Sequence, residues 1–71
     1  MITKTMLNNW FIYHTLDEEQ ARRCALVGGA GLMLAMVILE NTPESADQTA
    51  AIRKVREAVM TANLAIVCKG R

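Results

Sequence analysis

An uninterrupted apolar run over residues 24–39 constrains this chain more than any other feature. The run reads CALVGGAGLMLAMVIL, and it lies in a chain of only 71 residues. A helix that is apolar on every face has to bury all of its faces. A domain of about 60 residues buries only about 60% of its unfolded surface, so a chain this short has no core large enough to cover such a helix. The run therefore lies either in a lipid bilayer or inside an assembly of several chains.

The composition excludes several classes of function. Apolar residues make up 52% of the chain and aromatic residues only 4%, which favours helices over strands. The net charge of +1 is too small for a bulk DNA- or RNA-binding protein. The first residues, MITKTMLNNW, contain no secretory signal, so we expect a cytoplasmic protein, in which disulfides are rare. We accordingly expect Cys24 and Cys68 to be buried or half-buried thiols, with a disulfide between them as the alternative.

The chain divides into four segments that form a single domain. They are an N-terminal arm (1–14), a first helix (16–40), a turn (41–44) and a second helix (45–68). The arm has room for one helical turn at residues 5–9. A short turn between two long helices makes them antiparallel neighbours. The expected fold is therefore all-α, an antiparallel helical hairpin that assembles into an oligomer.

Capping signals mark the ends of the helices. Thr15 and Glu18 fit a capping box, in which the Thr hydroxyl and the Glu carboxylate accept hydrogen bonds from free backbone N–H groups. Pro43 ends the first helix and disfavours helical geometry at the residue before it. Either Thr42 or Ser45 suits the N-cap of the second helix, and we favour Thr42.

Two regular stripes indicate the helix faces that pack. In the second helix, apolar residues recur at the spacing of one helix face: Ile52, Val55, Val59, Ala62 and Ile66. In the first helix, Ala21, Ala25 and Gly29 stand four apart, and such small residues let another helix approach closely. Each glycine inside a helix costs about 1 kcal/mol relative to alanine. The glycines at positions 28, 29 and 31 therefore indicate close contact of this backbone with another helix or with a ligand.

The apolar run is somewhat short for a membrane span, which needs about 20 apolar residues. Arg22 and Arg23 before the run and Glu40 after it would suit the ends of a span. The second helix, however, has the amphipathic pattern of a soluble protein. We therefore favour an assembly of several chains, with a small holin-like membrane protein as the alternative.

Candidate binding residues cluster just before the first helix. Trp10, Phe11 and Tyr13 fall close together, and aromatic faces stack on nucleobases, although they also fasten an arm onto a hairpin. His14 has no acidic or cysteine partner at a catalytic spacing, so we expect it to be structural or to contact a ligand.

Further candidates lie in the helices. Arg22 and Arg23 suit a phosphate clamp, or they pair with Glu18 and Glu19 on the helix surface. Asn63 is a lone amide among apolar neighbours and must find hydrogen bonds, within the hairpin or from a ligand. The sequence contains no nucleophile–base pair, phosphate-binding glycine loop or metal-ligand cluster. We expect a protein that is not an enzyme and uses no cofactor or metal.

Five short segments follow one another in a distinctive order. They are residues 11–14 (FIYH), Gln20, Arg23, residues 43–45 (PES) and residues 56–66 (REAVMTANLAI). This order resembles the small phage hairpin proteins that include anti-CBASS protein 2 and Thoeris anti-defence protein 1. The resemblance covers roughly residues 11–67 and is most specific over residues 57–66.

The resemblance implies an all-helical homohexamer that sequesters cyclic nucleotide immune messengers without cleaving them. Ligands across that family are cyclic dinucleotides, cyclic trinucleotides and cyclic ADP-ribose isomers. Its pockets lie between protomers and use an N-terminal aromatic residue, which corresponds here to Tyr13. The expected ligand-binding residues are Tyr13, His14, Arg23 and Asn63, followed by Trp10 and Arg22. We expect no DNA, RNA or membrane partner, and a ligand-free structural oligomer or interaction module is the second hypothesis.

One stretch departs from the family pattern. After the arginine, relatives carry basic residues in a pattern like L-R-x-K-A-K, whereas residues 26–31 here read LVGGAG. A lysine that helps to hold the ligand in some members has no counterpart. The sequence therefore leaves the identity of the ligand open.

Overall fold

The computed structural model describes residues 1–11 and 16–68, except for the side chain of Asn9. Over those residues the chain is all-helical, without a strand: α1 (Lys4–Phe11), α2 (Glu18–Asn41) and α3 (Ala46–Val67). Side-chain hydrogen bonds join the start of α2 to the end of α3, and the start of α3 to the end of α2. The two long helices are therefore antiparallel, and the predicted all-α hairpin is confirmed.

The N-cap of α2 is Asp17. Its side chain accepts a hydrogen bond from the backbone N–H of Gln20 at 2.7 Å, and the Gln20 side chain accepts one from the Asp17 N–H at 3.2 Å. The capping box predicted for Thr15 and Glu18 is thus wrong, because Glu18 is already the first helical residue. An aspartate caps as well as a threonine, and glutamine closes the box as glutamate does.

The turn between the long helices is capped on both sides. Ser45 is the N-cap of α3, and its hydroxyl oxygen accepts from the backbone N–H of Gln48 at 3.1 Å. The preference for Thr42 is wrong, because Thr42 is the C-cap of α2 and its hydroxyl donates to the Ile38 carbonyl at 2.6 Å. Thr42 also has the extended backbone that a following proline imposes. The Gln48 side chain donates to the carbonyls of Leu39 and Thr42, which lie beyond the last intrahelical bonds of α2.

Of the described glycines, Gly31 lies closest to α3. A Cβ placed on Gly31 would overlap Cγ2 of Val59 and lie 3.7 Å from Cγ1 of Val55. The same test at Gly28 and Gly29 meets nothing within 4 Å. The close approach predicted from the glycines is therefore confirmed at Gly31, where only hydrogen leaves room for α3.

The seam between the helices is only partly covered. All five members of the predicted α3 stripe are half-buried, whereas the neighbouring Arg53, Lys54, Arg56 and Glu57 are exposed. Among the described residues only Cys68 is fully buried, at 4% exposure. Cys24 is half-buried, and no disulfide joins these two described cysteines, so the prediction of thiols is confirmed.

The face of α2 that points away from α3 is apolar and uncovered. Leu26, Met33 and Val37 are 60%, 69% and 53% exposed. An 18-residue window of α2 has a mean hydropathy of 1.8, and none of that window is buried within the chain. By length and composition alone α2 is able to cross a membrane, a criterion that core helices of soluble proteins also meet. A single hairpin therefore leaves its most apolar helix without a cover.

The N-terminal arm contains a helix rather than a single turn. Thr3 directly precedes α1 and accepts two hydrogen bonds from it. Its hydroxyl oxygen accepts from the Met6 N–H at 3.2 Å, and its carbonyl oxygen accepts from the Leu7 N–H at 3.0 Å. Two large side chains at the end of this helix, Trp10 and Phe11, remain 40% and 81% exposed. Among the described helices, α2 and α3 pack extensively on each other, and α1 does not pack extensively on either.

Candidate functional site

A polar groove of about 510 Å³ lies at the open end of the hairpin, opposite the turn. It is lined by the first turns of α2 and the last turn of α3: Asp17, Glu19, Gln20, Arg23, Ala65 and Ile66. The amide nitrogen of the Gln20 side chain donates to the Ile66 carbonyl at 3.2 Å, which ties the two walls together. Since Gln20 also closes the capping box, one side chain fixes both the start of α2 and its distance from α3.

Glu19 is the shared partner of two arginines. Nε and Nη2 of Arg22 donate to the two carboxylate oxygens of Glu19 at 3.0 and 2.6 Å, and Nε of Arg23 donates to one of them at 2.9 Å. These contacts confirm surface ion pairing of both arginines, although with one glutamate rather than two. Within residues 1–11 and 16–68, Glu18 forms no ion pair.

The two arginines change the acidity of Glu19. Hydrogen bonds from Arg22 and then Arg23 lower the pKa of Glu19 from 4.5 to about 2. The hydrogen bond to Glu19 raises the pKa of Arg22 above its ordinary value. All three side chains are more than half exposed, so salt screens the attraction between them.

The first prediction concerns the titration of Glu19. Because the folded-state pKa lies below the unfolded value of 4.5, the ion pairs stabilise the fold above pH 4.5, and this contribution is lost as the pH falls toward about 2. NMR of the Glu19 carboxyl carbon should therefore show ionisation down to about pH 2. Arg22→Gln should return the midpoint toward 4.5. A wild-type midpoint near 4.5 would show that the pairs do not form in solution.

Arg23 is the predicted site residue that the structure places in the groove. Arg22 stands beside it, joined through Glu19, and does not line the groove. Both guanidinium groups carry donors in a planar arrangement that suits phosphate as well as carboxylate. The groove thus contains one arginine able to bind an anion, with a second arginine at its edge.

Asn63 carries an unsatisfied oxygen. Its Oδ1 atom is buried and has no hydrogen-bond donor among the described residues. Because the Gln20 side chain bonds to Ile66 and because α2 and α3 are antiparallel, Asn63 lies near the level of Arg23 on the facing helix. Leaving a buried acceptor unpaired costs about 1–3 kcal/mol, so this oxygen is a candidate acceptor for a donor on a ligand, a water or another chain.

The predicted aromatic and histidine residues are distributed differently. Trp10 lies near the end of α1, half-exposed, and does not line the groove. Tyr13 and His14 lie outside the described residues, so their predicted roles are untested. In the sequence they stand four and three positions before the groove residue Asp17.

Five of the six residues that line the groove were not predicted as site residues, and two of these, Glu19 and Gln20, bond to Arg23 and to the opposite wall. Gln20 was noted only as part of the resemblance, and Glu19 only as a surface partner. The spacing Asp17-x-x-Gln20 was the available signal, because it is a capping box with aspartate in place of serine or threonine. Placing the box there would have brought Glu19 and Arg23 to the first turns of the helix.

A second feature is an apolar groove of about 490 Å³ along the seam. Val27, Ala30 and Leu34 of α2 line one side, and Val55 and Ala62 of α3 line the other. Lys54 is the only charged residue in its lining among the described residues. The uncharged stretch at residues 26–31 thus contributes Val27, Ala30 and Gly31 to an apolar surface.

A family model described as "Acb2/Tad1, hairpin domain" matches residues 5–67 of the chain. This chain belongs to the Acb2/Tad1 hairpin family. The match spans both helices of the hairpin and most of α1, and it confirms the resemblance drawn from the sequence. No curated protein and no solved structure shows a significant match. We therefore interpret the groove with Arg23 and the buried oxygen of Asn63 as features of an Acb2/Tad1 hairpin.

Proposed function

We propose that this protein is a phage anti-defence protein that binds cyclic nucleotide immune messengers and sequesters them without cleavage. The observation that carries this proposal is the match of the Acb2/Tad1 hairpin model over residues 5–67. The polar groove supports it, because Arg23 supplies a phosphate-binding group at a site with space for a small molecule. The protein acts in the cytoplasm of the bacterial host and is not an enzyme.

Each binding residue has a chemical role in this proposal. Arg23 pairs with a phosphate, and Tyr13 stacks on a nucleobase. Asn63 accepts a hydrogen bond at its unsatisfied oxygen from a base or ribose donor. His14 contacts the ligand beside Tyr13. Arg22 assists from the edge of the groove, and Trp10 is a weaker candidate for stacking on a base.

The proposal includes a homo-oligomer, with a hexamer expected from the family. The uncovered face of α2 supports assembly, since large exposed apolar patches on soluble proteins mark interaction sites. The stripe of Ala21, Ala25 and Gly29 is also exposed in the single chain, where it leaves room for the backbone of another helix. Assembly would bring the grooves of neighbouring chains together and supply residues that one hairpin lacks.

The second prediction is that Arg23→Ala weakens cyclic nucleotide binding about tenfold or more, because a charge-assisted hydrogen bond to phosphate is lost. Arg53→Ala is the matched control: it removes the same group from the exposed side of α3. Calorimetric titration of both variants measures the difference. Equal affinities of the two variants for the cyclic nucleotide would show that Arg23 does not contribute to binding.

A retention experiment tests the proposed function. The purified protein is incubated with a cyclic dinucleotide, a cyclic trinucleotide or a cyclic ADP-ribose isomer, filtered, heated, and the released nucleotide is analysed by chromatography. We expect at least one nucleotide to be retained by the folded protein and released intact by heating. Retention of none by a folded oligomer would contradict the proposal, and release of a linear product would show an enzyme.

One observation favours a different function. The hydropathy and exposure of α2 also suit a small holin-like membrane protein. Cell fractionation separates the two: recovery in the soluble fraction without detergent excludes the membrane protein, and extraction only with detergent supports it.

The uncharged residues 26–31 favour a third function, a ligand-free oligomer, and that alternative predicts no retained nucleotide.

A further inference from the structure

Glu19 occupies the Nε donors of both arginines and the Nη2 donor of Arg22, which a phosphate is also able to use. Arg22 grips the carboxylate with two parallel hydrogen bonds, at 3.0 and 2.6 Å, and Arg23 adds a third at 2.9 Å. Fork-like pairing of this kind is the geometry in which arginine binds both carboxylates and phosphates. In the absence of ligand, the anion held by the two arginines is therefore part of the protein itself.

The groove is also unfavourable to an incoming anion while Glu19 stays in place. Asp17 and Glu19 both line it, and Arg23 is the only basic residue in its described lining. A phosphate that enters without displacing Glu19 meets two carboxylates and one arginine that is already engaged. Binding through Nε of Arg23 and the Nε–Nη2 side of Arg22 consequently requires an exchange of one anion for another.

The exchange is structurally easy. The side chains of Arg22, Arg23 and Glu19 are 59%, 61% and 51% exposed, so they can rearrange without opening the helix seam. Exposed ion pairs contribute little to stability, which makes the carboxylate a competitor of moderate strength rather than a permanent partner. A phosphate with two charge-assisted contacts is able to replace it.

We propose that Glu19 competes with a ligand phosphate for the Nε donors of Arg22 and Arg23, so that Glu19 lowers the affinity of the site for phosphate. The inference rests on the proposed function and names the chemistry of the same groove. A ligand with a well-exposed phosphate is able to displace Glu19 from these donors. A nucleoside that lacks a phosphate gains nothing from the arginines and leaves the Glu19 pairs intact.

The test compares Glu19→Gln with Glu18→Gln. Both variants remove one carboxylate from the first turn of α2, but Glu18 forms no ion pair among the described residues. The probes are inorganic phosphate, whose binding is followed by the shifts of the arginine Nε–H groups in NMR, and a cyclic dinucleotide, a cyclic trinucleotide and a cyclic ADP-ribose isomer, whose binding is followed by calorimetry. Glu19→Ala serves as a second variant that removes the side chain altogether.

The expected result is that Glu19→Gln and Glu19→Ala bind inorganic phosphate about three- to tenfold more tightly than the wild type, and Glu18→Gln less than twofold. High salt should reduce the difference, because it screens the exposed pairs. Unchanged or weaker phosphate binding by the Glu19 variants would overturn the inference and make Glu19 a positioning residue. If those variants bind phosphate more tightly but no variant binds any cyclic nucleotide, the inference stands and the proposed function fails.

Discussion

Met33→Glu should break the proposed assembly into single hairpins. Met33 lies on the uncovered face of α2 and is 69% exposed in the single chain. In an oligomer that covers this face, the substitution buries an unpaired carboxylate in every copy, which costs several kcal/mol per site. Light scattering coupled to size exclusion should show the mass fall from a multiple of the chain mass, 7.9 kDa, to 7.9 kDa itself.

Thr61→Glu is the control for this change. Thr61 is exposed on α3 and lies outside its half-buried stripe, so the same charge is added without touching the uncovered face of α2. We expect this variant to keep the wild-type mass. A Met33→Glu protein that also keeps that mass, or a wild type that is already monomeric, would show that the face of α2 is not an assembly surface.

Gly31→Ala should destabilise the hairpin by about 1 kcal/mol. The new Cβ overlaps Cγ2 of Val59, and because valine is stiff at χ1 the two helices must move apart. Overpacking of this kind costs about 1–3 kcal/mol, and better helix propensity returns at most about 1 kcal/mol. In a domain of this size 1 kcal/mol corresponds to about 4–8 °C, so thermal unfolding should shift down by roughly 5 °C.

Gly28→Ala supplies the matched comparison in the same helix. A Cβ at Gly28 meets nothing within 4 Å, so this substitution should stabilise the protein by up to about 1 kcal/mol. Val59→Ala should relieve part of the damage in the double variant, because it removes the overlapping methyl group. Equal melting temperatures for Gly31→Ala and Gly28→Ala would mean that the helices do not approach at Gly31.

The fold was largely predictable because its signals are periodic. Pro43 marks the turn, and the stripe from Ile52 to Ile66 identifies the face of α3 that packs on α2. The cluster of glycines predicted a close approach but not its position, since sequence spacing alone does not set the register of two helices. The register places Gly31 against Val59, while Gly28 and Gly29 face open space.

The caps were harder to predict because several residues compete for each position. Thr15, Asp17, Thr42 and Ser45 all have suitable side chains. The structure selects those with a glutamine three residues later, Gln20 after Asp17 and Gln48 after Ser45, because each glutamine also bonds to the neighbouring helix or turn. Tertiary bonds of this kind have no signature in local sequence.

The candidate site was predictable in part. Arg23 was expected from its family resemblance and lies in the groove. The role of Glu19 as partner of both arginines depends on side-chain geometry, which spacing at three and four residues allows but does not determine. Asn63 was expected to need a hydrogen bond, and its buried oxygen lacks one within the described residues.

Calorimetric titration of the wild-type protein tests the central claim most directly. The panel comprises cyclic dinucleotides, cyclic trinucleotides and cyclic ADP-ribose isomers, and the mass of the protein is measured in the same buffer. We expect saturable binding of at least one member at micromolar concentration or below, by an oligomer. A folded oligomer that gives no heat of binding with any member of the panel would contradict the claim.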